Sequence, residues 1–316
     1  MNPNDFWKPF EVEIASFEDL QEILGQVMEK AVTNNRTFAW RGQSDASWGL
    51  HASLPRRLRL TLGRTVLEDD LTKREGQILA EVHRWGLHAS HDTGRLSILS
   101  QLAMLQHYGA PTRLLDITFN AWVGTWFAVE EKWENGETKY DYVDARLFAV
   151  DVTDRLINEQ DHRRAWEDEL TRPWTSENPE RVGRKEWTTS VFAWKPPSLD
   201  GRIAAQNGGF LFGGVPMAEK PDNKRFQLPK TSTGTGKWWS IDEIRQATCI
   251  AIRPNEFSKA KGAKSSTGAL YSFRIKAAAK AKIRDRLERL FGYRHSTIYP
   301  DYTGFASYGT PDLKSW

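Results

Sequence analysis

The sequence predicts an α+β domain, and three observations predict it. Amphipathic stretches with helical periodicity recur along the chain, short apolar runs of strand character lie between them, and helix stop signals pass directly into extended segments. The third pattern is clearest at Gly109-Ala110-Pro111, where a helix C-cap meets a residue that cannot continue the helix. With 316 residues the chain can hold one large domain or two small ones, with a core of ordinary size.

The elements follow in order. Ser16 is a helix N-cap with Asp19 at the third position, and Leu20, Leu24, Val27 and Ala31 share one face. Residues 37–40 read as a strand ending at Arg41, and residues 67–85 as a long helix with Leu71, Ile78, Val82 and Trp85 inward. A further helix carrying Leu99, Leu102, Ala103 and Gln106 on one face stops at Gly109. A short strand, Leu114-Leu115-Asp116-Ile117-Thr118, follows, and then a helix through Ala121, Trp122, Thr125, Trp126 and Val129.

Residues 145–150 read as a buried strand. The stretch 155–197 is charged and carries Trp166, Trp174, Trp187 and Trp194, the composition of an inserted arm or lid. Its tryptophans either pack the arm onto the body or stack on bases. Residues 213–240 read as a surface loop, and no Ser or Thr follows Lys237 to make a Walker motif. Strands at 247–252 and 271–275 and a helix around 283–290 close the chain. Residues 1–36 form an N-terminal helical segment in this division, and 37–316 the main domain.

Charge and cysteine content exclude little but set the setting. A net charge of +3 is mildly basic and permits nucleic-acid contact without demanding it. Two basic clusters stand out, Leu54-Pro55-Arg56-Arg57-Leu58-Arg59 and the Lys- and Arg-rich run 276–289; the second has an apolar stripe of Ile283, Leu287 and Leu290 and fits a solvated helix face. Cys249 is the single cysteine, placed in a strand-like run, so no intramolecular disulfide forms and a reducing compartment is favoured. No signal peptide and no long apolar run are visible, so the expected location is cytoplasmic, with no membrane partner. His83, His88, His91 and Asp92 lie close together, but their spacing fits no helical metal pair, and no metal is expected. Ser100, His107 and Asp116 could be imagined as a hydrolase triad, yet no nucleophile elbow precedes a serine.

Three segments mix polar and apolar residues in a way ordinary core segments do not: Trp40-Arg41-Gly42-Gln43, Gln106-His107-Tyr108-Gly109 through Asp116, and Gln206-Asn207-Gly208-Gly209-Phe210. An apolar strand running into Arg41 needs a partner for that guanidinium, either a carboxylate such as Asp116 or a ligand. In this order, with Trp48 and Leu54 behind the first and Ala128 behind the second, the segments resemble the bacterial FRG family, named for Phe-Arg-Gly. Here Trp40 takes the aromatic position. Leu290-Phe291-Gly292-Tyr293 and Ser296-Thr297-Ile298-Tyr299-Pro300-Asp301 resemble its closing motif, so the resemblance spans residues 38–305.

The order of elements is in turn similar to ADP-ribosyltransferase folds, which implies a mixed, split β-sheet flanked by helices and NAD as co-substrate. By that resemblance Arg41, with Gln43 beside it, holds the phosphate or ribose of NAD, Thr118 takes the hydroxyl position, and Tyr108 or Trp122 stacks on nicotinamide. His107 binds a ribose hydroxyl or carries a proton. Gln206 stands where such transferases place a Glu; either Gln206 suffices for slow transfer, or an acid from elsewhere (Asp116, Glu219, Glu243) fills the role, or catalysis is absent. The implied function is ADP-ribosyl transfer from NAD to a macromolecule, nucleic acid (RNA or DNA) ahead of protein, in a toxin or antiphage defence effector with an antitoxin or regulatory partner. The alternative is a non-catalytic nucleotide- or RNA-binding or phage-sensing module.

Overall fold

The computed structural model describes residues 2–90, 94–157, 190–196, 201–214, 228–231, 238–250, 252–258, 269–310 and 313. Its strands are β1 (Glu11–Ile14), β2 (Phe38–Gln43), the short pair β3 (Ala89–Ser90) and β4 (Gly94–Arg95), β5 (Leu115–Thr118), the pair β6 (Lys132–Glu134) and β7 (Glu137–Lys139), β8 (Ala145–Asp151), β9 (Val191–Trp194), β10 (Gly208–Gly213) and β11 (Leu270–Ile275). Its helices are α1 (Pro3–Trp7), α2 (Phe17–Thr33), α3 (Ser53–Leu62), α4 (Glu68–Arg84), α5 (Ile98–His107), α6 (Ala121–Val129), α7 (Gly201–Ala205), α8 (Ile241–Ala247), α9 (Ala277–Phe291), α10 (His295–Ile298) and α11 (Tyr302–Tyr308).

The helix starts are chemically specified. Ser16 accepts from the Asp19 amide at 3.0 Å, and Ser97 and Asn120 cap α5 and α6 in the same way. Where α3 and α9 stop, Gly63 and Gly292 sit at φ 63° and 68°, a left-handed conformation that glycine adopts without steric cost.

Seven strands make one mixed sheet in the order β1-β11-β8-β2-β5-β10-β9, parallel at β1–β11 and antiparallel elsewhere. Helices cover both faces, so the expected α+β class holds, with a mixed open sheet flanked by helices. On one face α2, α6 and α9 bring Leu20, Leu24, Trp126, Ile283 and Leu287 onto Trp40, Leu147 and Phe273. On the other, Phe6 and Trp7 of α1 and Ile244 of α8 meet Ala39, Phe148, Val150 and Leu211. Leu99 and Leu102 of α5 cover Trp194, Phe210 and Phe212 at the far end.

Several expectations are corrected. The described residues among 247–252 do not form a strand: α8 runs to Ala247, and Thr248 makes only an isolated bridge to Leu50. Trp85 is not inward; it is the C-cap of α4 and 74% exposed. Residues 191–194, assigned to the arm, are β9 of the central sheet, with Trp194 fully buried. Trp166, Trp174 and Trp187 lie outside the described residues, as do Glu219, Lys237 and most of the loop expected at 213–240. Residues 1–36, read as a helical segment, also contain a strand: β1 pairs with β11, and Phe6 and Trp7 are buried beneath the sheet.

One junction sets up everything that follows. β2 and β5 meet at a single register pair, Trp40 with Thr118. Beyond it, residues 41–43 pair only with β8, and residues 115–117 only with β10. The two strands therefore splay, and the gap between them is the floor of a cleft. Helix α6 holds β2 from the opposite face at very short range: a Cβ on Gly42 would collide with the backbone of Gly124, Phe127 and Ala128, and one on Gly124 would lie 2.7 Å from Trp40 Cβ. Glycine at 42 is required by that approach.

Candidate functional site

The cleft has a volume of about 960 Å³, near the upper end of the range for small-molecule and cofactor sites. It gathers residues from every motif singled out in the sequence: Arg41 and Gln43 from the first, Gln106, His107 and Asp116 from the second, and Gln206 with Gly208 and Gly209 from the third. Tyr299, from the closing motif, also lines it.

Arg41 reaches across the gap. Its Nη1 donates to the Asp116 carbonyl at 2.7 Å, an edge acceptor that a continuous sheet would have paired. The Asp116 carboxylate is farther, with Oδ2 3.8 Å from Nη1, and 62% exposed against 18% for Arg41. The bridge is thus mainly to the backbone. Burial pulls the Arg41 guanidinium below its ordinary pKa, with Asp116 opposing. Two buried polar atoms on this stretch have no hydrogen-bond partner among the described residues: Arg41 Nε, a donor, and Gln43 Oε1, an acceptor. Residues 41 and 43 point to the same face of one strand. Gln43 is anchored at its other end, where Nε2 donates to the Gly49 carbonyl at 3.0 Å.

The central motif divides between wall and support. Thr112 Oγ1 donates to Gln106 Oε1, and Gln106 Nε2 donates to Asp116 Oδ1, which fixes the Asp116 carboxylate at the cleft wall. Arg113 is buried behind the cleft lining, paired with Glu68 and Glu75 at 3.0 and 2.6 Å. This ion triad clamps the motif to α4. Gln206 is likewise tied down: its Nε2 donates to the Ile298 carbonyl at 3.0 Å, and its own carbonyl accepts from Thr118 Oγ1 at 2.6 Å.

Three residues expected at the ligand are elsewhere. Thr118 is fully buried, its hydroxyl engaged by Gln206 and by the Asn120 amide. Trp122 lies about 200° around α6 from Gly124, the contact point with β2. It stacks instead between Phe17 and Phe291, at 6.0 and 5.1 Å. Tyr108 caps α5, 67% exposed, beside His107 but outside the cleft lining. Of the alternative acids, Glu243 caps α8 and pairs with Lys230, away from the cleft.

The sequence reading missed Glu130, His51 and Arg202. Glu130, at the end of α6, is buried in the cleft wall between Lys132 at 3.0 Å and the Tyr299 hydroxyl, which donates to it at 2.7 Å. Arg202 makes a two-pronged bond to Asp301, both contacts 2.6 Å, and lies over the Tyr299 ring. His51 Nε2 donates to the Arg245 carbonyl at 2.9 Å. Burial, reinforced by Arg59 and Arg56, lowers its pKa to about 4. No periodicity marks any of these three.

The other constellations do not assemble. Ser100 is buried, bonded to Ser97. It is seven residues along α5 from His107, about 10 Å of helix, so no triad forms. His83 and His88 stack at 4.1 Å, with Arg95 on His83, while His91 and Asp92 fall outside the described residues. Among the described residues no group of three or more potential ligands could hold a metal, and no helix is long and apolar enough to cross a membrane.

The FRG domain model matches residues 36–137, which carry the first two motifs and the β2–β5 junction. The third and closing motifs lie beyond that match, yet they line the same cleft. Neither a curated protein nor a solved structure matches the chain.

Proposed function

We propose that this chain is an NAD-dependent ADP-ribosyltransferase modifying a macromolecule, nucleic acid ahead of protein, with the dinucleotide bound in the β2–β5 cleft. One observation carries it: Arg41 and Gln43 line a cleft of cofactor size, and each holds a buried polar atom, Nε and Oε1, with no partner among the described residues. Buried polar groups left unpaired cost about 1–3 kcal/mol each, so a ligand that turns these side chains to pair both atoms recovers that cost. The splayed sheet supports the resemblance to a split-sheet transferase, and a planar guanidinium suits a phosphate or a ribose diol.

In the reaction the glycosidic C–N bond breaks, nicotinamide leaves with the electron pair, and an acceptor oxygen or nitrogen bonds the anomeric carbon as it loses its proton. Arg41 and Gln43 orient the dinucleotide, and His107 takes the acceptor proton. Asp116 and Glu130 are the cleft carboxylates available to stabilise positive charge on the sugar, and Gln206 donates no charge. Such an activity would suit a toxin or an antiphage effector.

A second function is favoured by a specific observation. Gln206 is neutral and committed to Ile298, which suits a non-catalytic nucleotide- or RNA-binding module. NAD labelled in its adenylate half, incubated with purified protein and with RNA, DNA or protein acceptors, separates the two. Label transferred to one acceptor, and lost in Arg41→Ala, is the expected result; NAD binding without turnover leaves the binding module, and no NAD binding ends both NAD-based functions.

A further inference from the structure

The basic cluster Leu54-Pro55-Arg56-Arg57-Leu58-Arg59 has no part in the chemistry above, yet it folds as α3 against the cleft. The helix is pinned on several sides. Leu54 and Leu58 pack on Leu71 of α4. The Leu54 amide donates to the Thr112 carbonyl at 2.9 Å, and Ser53 Oγ accepts from the Thr112 amide at 3.0 Å. On the flank, Arg57 Nη2 donates to the Gly109 carbonyl. These bonds tie α3 to the central motif and fix which side faces the cleft.

That side presents Arg56 and Arg59, three residues apart and therefore neighbours on one face. Both are exposed, and among the described residues neither guanidinium has a hydrogen bond or an ion pair. Other surface arginines differ: Arg64 grips Asp70 and Arg289 grips Asp285, each at under 3 Å. The acids nearby are committed, Glu68 to Arg113 and Asp116 to Gln106 and Arg41. Below the pair lies His51, facing Arg56 and Arg59 from α3 and the Arg245 carbonyl from α8, with Arg41 and Cys249 also in the same cleft wall. Like charges are thus gathered on a rigid wall, while the cleft acids Glu68, Asp116 and Glu130 are engaged by other partners, which focuses positive potential at the cleft mouth.

We propose that Arg56 and Arg59 form a phosphoryl-binding subsite at the cleft mouth, which takes the phosphoryl oxygens of a pyrophosphate or a phosphodiester. Guanidinium forks match phosphate oxygens with paired, charge-assisted hydrogen bonds, and two on adjacent turns span neighbouring phosphoryl groups. The shared chemistry arises from two sources, the pyrophosphate of the dinucleotide or the backbone of a nucleic-acid acceptor. The inference rests on the nucleotide reading of the cleft and is independent of whether transfer occurs.

Calorimetry on the full chain tests it, with inorganic pyrophosphate, NAD and a single-stranded RNA oligonucleotide as separate probes. The variants are Arg56→Gln/Arg59→Gln and, as a charge-matched control, Arg84→Gln/Arg289→Gln. The expected result is at least tenfold weaker pyrophosphate binding in the first variant only, with an unchanged thermal midpoint because both side chains are exposed. A matching loss for NAD assigns the subsite to the dinucleotide; a matching loss for RNA, with a shallower salt dependence, assigns it to the acceptor. Equal binding by both variants, or no pyrophosphate binding by the wild type, overturns the proposal and leaves α3 a solvated face. Pyrophosphate binding lost in the variant while wild-type protein turns over no NAD removes the transferase and keeps the subsite. NAD turnover by the wild type, with pyrophosphate binding equal in both variants, does the reverse.

Discussion

Two arginines on neighbouring strands of one sheet face have opposite fates. Arg146 of β8 is fully buried and saturated: it donates to Glu11 at 2.7 Å, Ser272 at 2.8 Å, Asn4 at 3.0 Å and the Ala46 carbonyl. Arg41 of β2, two residues from the partner of Arg146 in the ladder, makes one hydrogen bond to protein and leaves its Nε unmet. The difference follows from the sheet. Around Arg146 the ladder is continuous from β1 to β2, and its neighbours close over the guanidinium. Around Arg41 the ladder has parted, and the space that a strand would fill is a cleft. The same residue type is saturated in one place and left with an unmet donor beside a cleft in the other.

The largest effect should come from removing the saturated member. Arg146→Ala leaves the Glu11, Asn4 and Ser272 partners underpaired in a buried region, and a loss of about 3 kcal/mol or more is expected. Denaturant unfolding checks it. A loss below 1 kcal/mol would erase the contrast with Arg41. Gly42→Ala comes next, at about 1–3 kcal/mol, because a methyl group there drives α6 off β2. The readout is the thermal midpoint, and an unchanged value would mean that the β2–α6 approach is looser than the structure has it.

How much of this contrast was legible in the sequence depends on which residue is asked. Arg41 was legible because an apolar strand ended in a guanidinium, and the need for a partner named Asp116 in advance, although the bond goes to its carbonyl. Arg146 was not: it sits inside an apolar run, and its partners Asn4, Glu11 and Ser272 come from distant segments that only the fold brings together. β9 was hidden because its aromatics read as part of a charged stretch. Thr118 and Trp122 were placed at the ligand by resemblance; the register pair at the split and the rotation of α6 send one into the sheet and the other to a helix interface. Glu130 and His51 carry no sequence signal, since each reaches the cleft only through the chain path. Arg56 and Arg59 were visible as a cluster, but their direction was fixed by Leu54, Leu58 and Thr112.

A third effect distinguishes the cleft wall from a packed interior by pH. His51 is held neutral in the folded protein, with a pKa of about 4 against an ordinary 6.5, so the unfolded chain takes up a proton first as pH falls. Stability contributed by the neutral ring is complete above about pH 6.5 and is lost as pH falls toward 4. Because the ring is only partly shielded, on the order of 1–2 kcal/mol is expected across that window. Comparing His51→Asn with wild type at pH 7 and pH 5 isolates it; identical pH slopes would remove the effect. Smaller again is the stability cost of Arg41→Ala, within about 1 kcal/mol, since only one hydrogen bond is lost. Thermal unfolding beside NAD binding checks the pair of outcomes: a folded protein with binding abolished is expected, whereas an unfolded one would make Arg41 a second Arg146.

The smallest expected effect on folding is the most informative about chemistry. In Asp116→Asn the 2.7 Å bond from Arg41 survives, because it goes to a main-chain carbonyl that no side-chain change removes. The substituted amide oxygen still accepts from Gln106, and the weak 3.8 Å contact with Arg41 is the main loss, so stability should shift by only a few tenths of a kcal/mol. Geometry is thereby kept while one charge is deleted from the cleft. Should kcat for NAD cleavage fall at least tenfold with KM unchanged, the charge of Asp116 acts in the transition state and not in binding. Should both constants stay put, Asp116 is a positioning residue for Arg41 and Gln106, and Glu130 becomes the carboxylate to remove next.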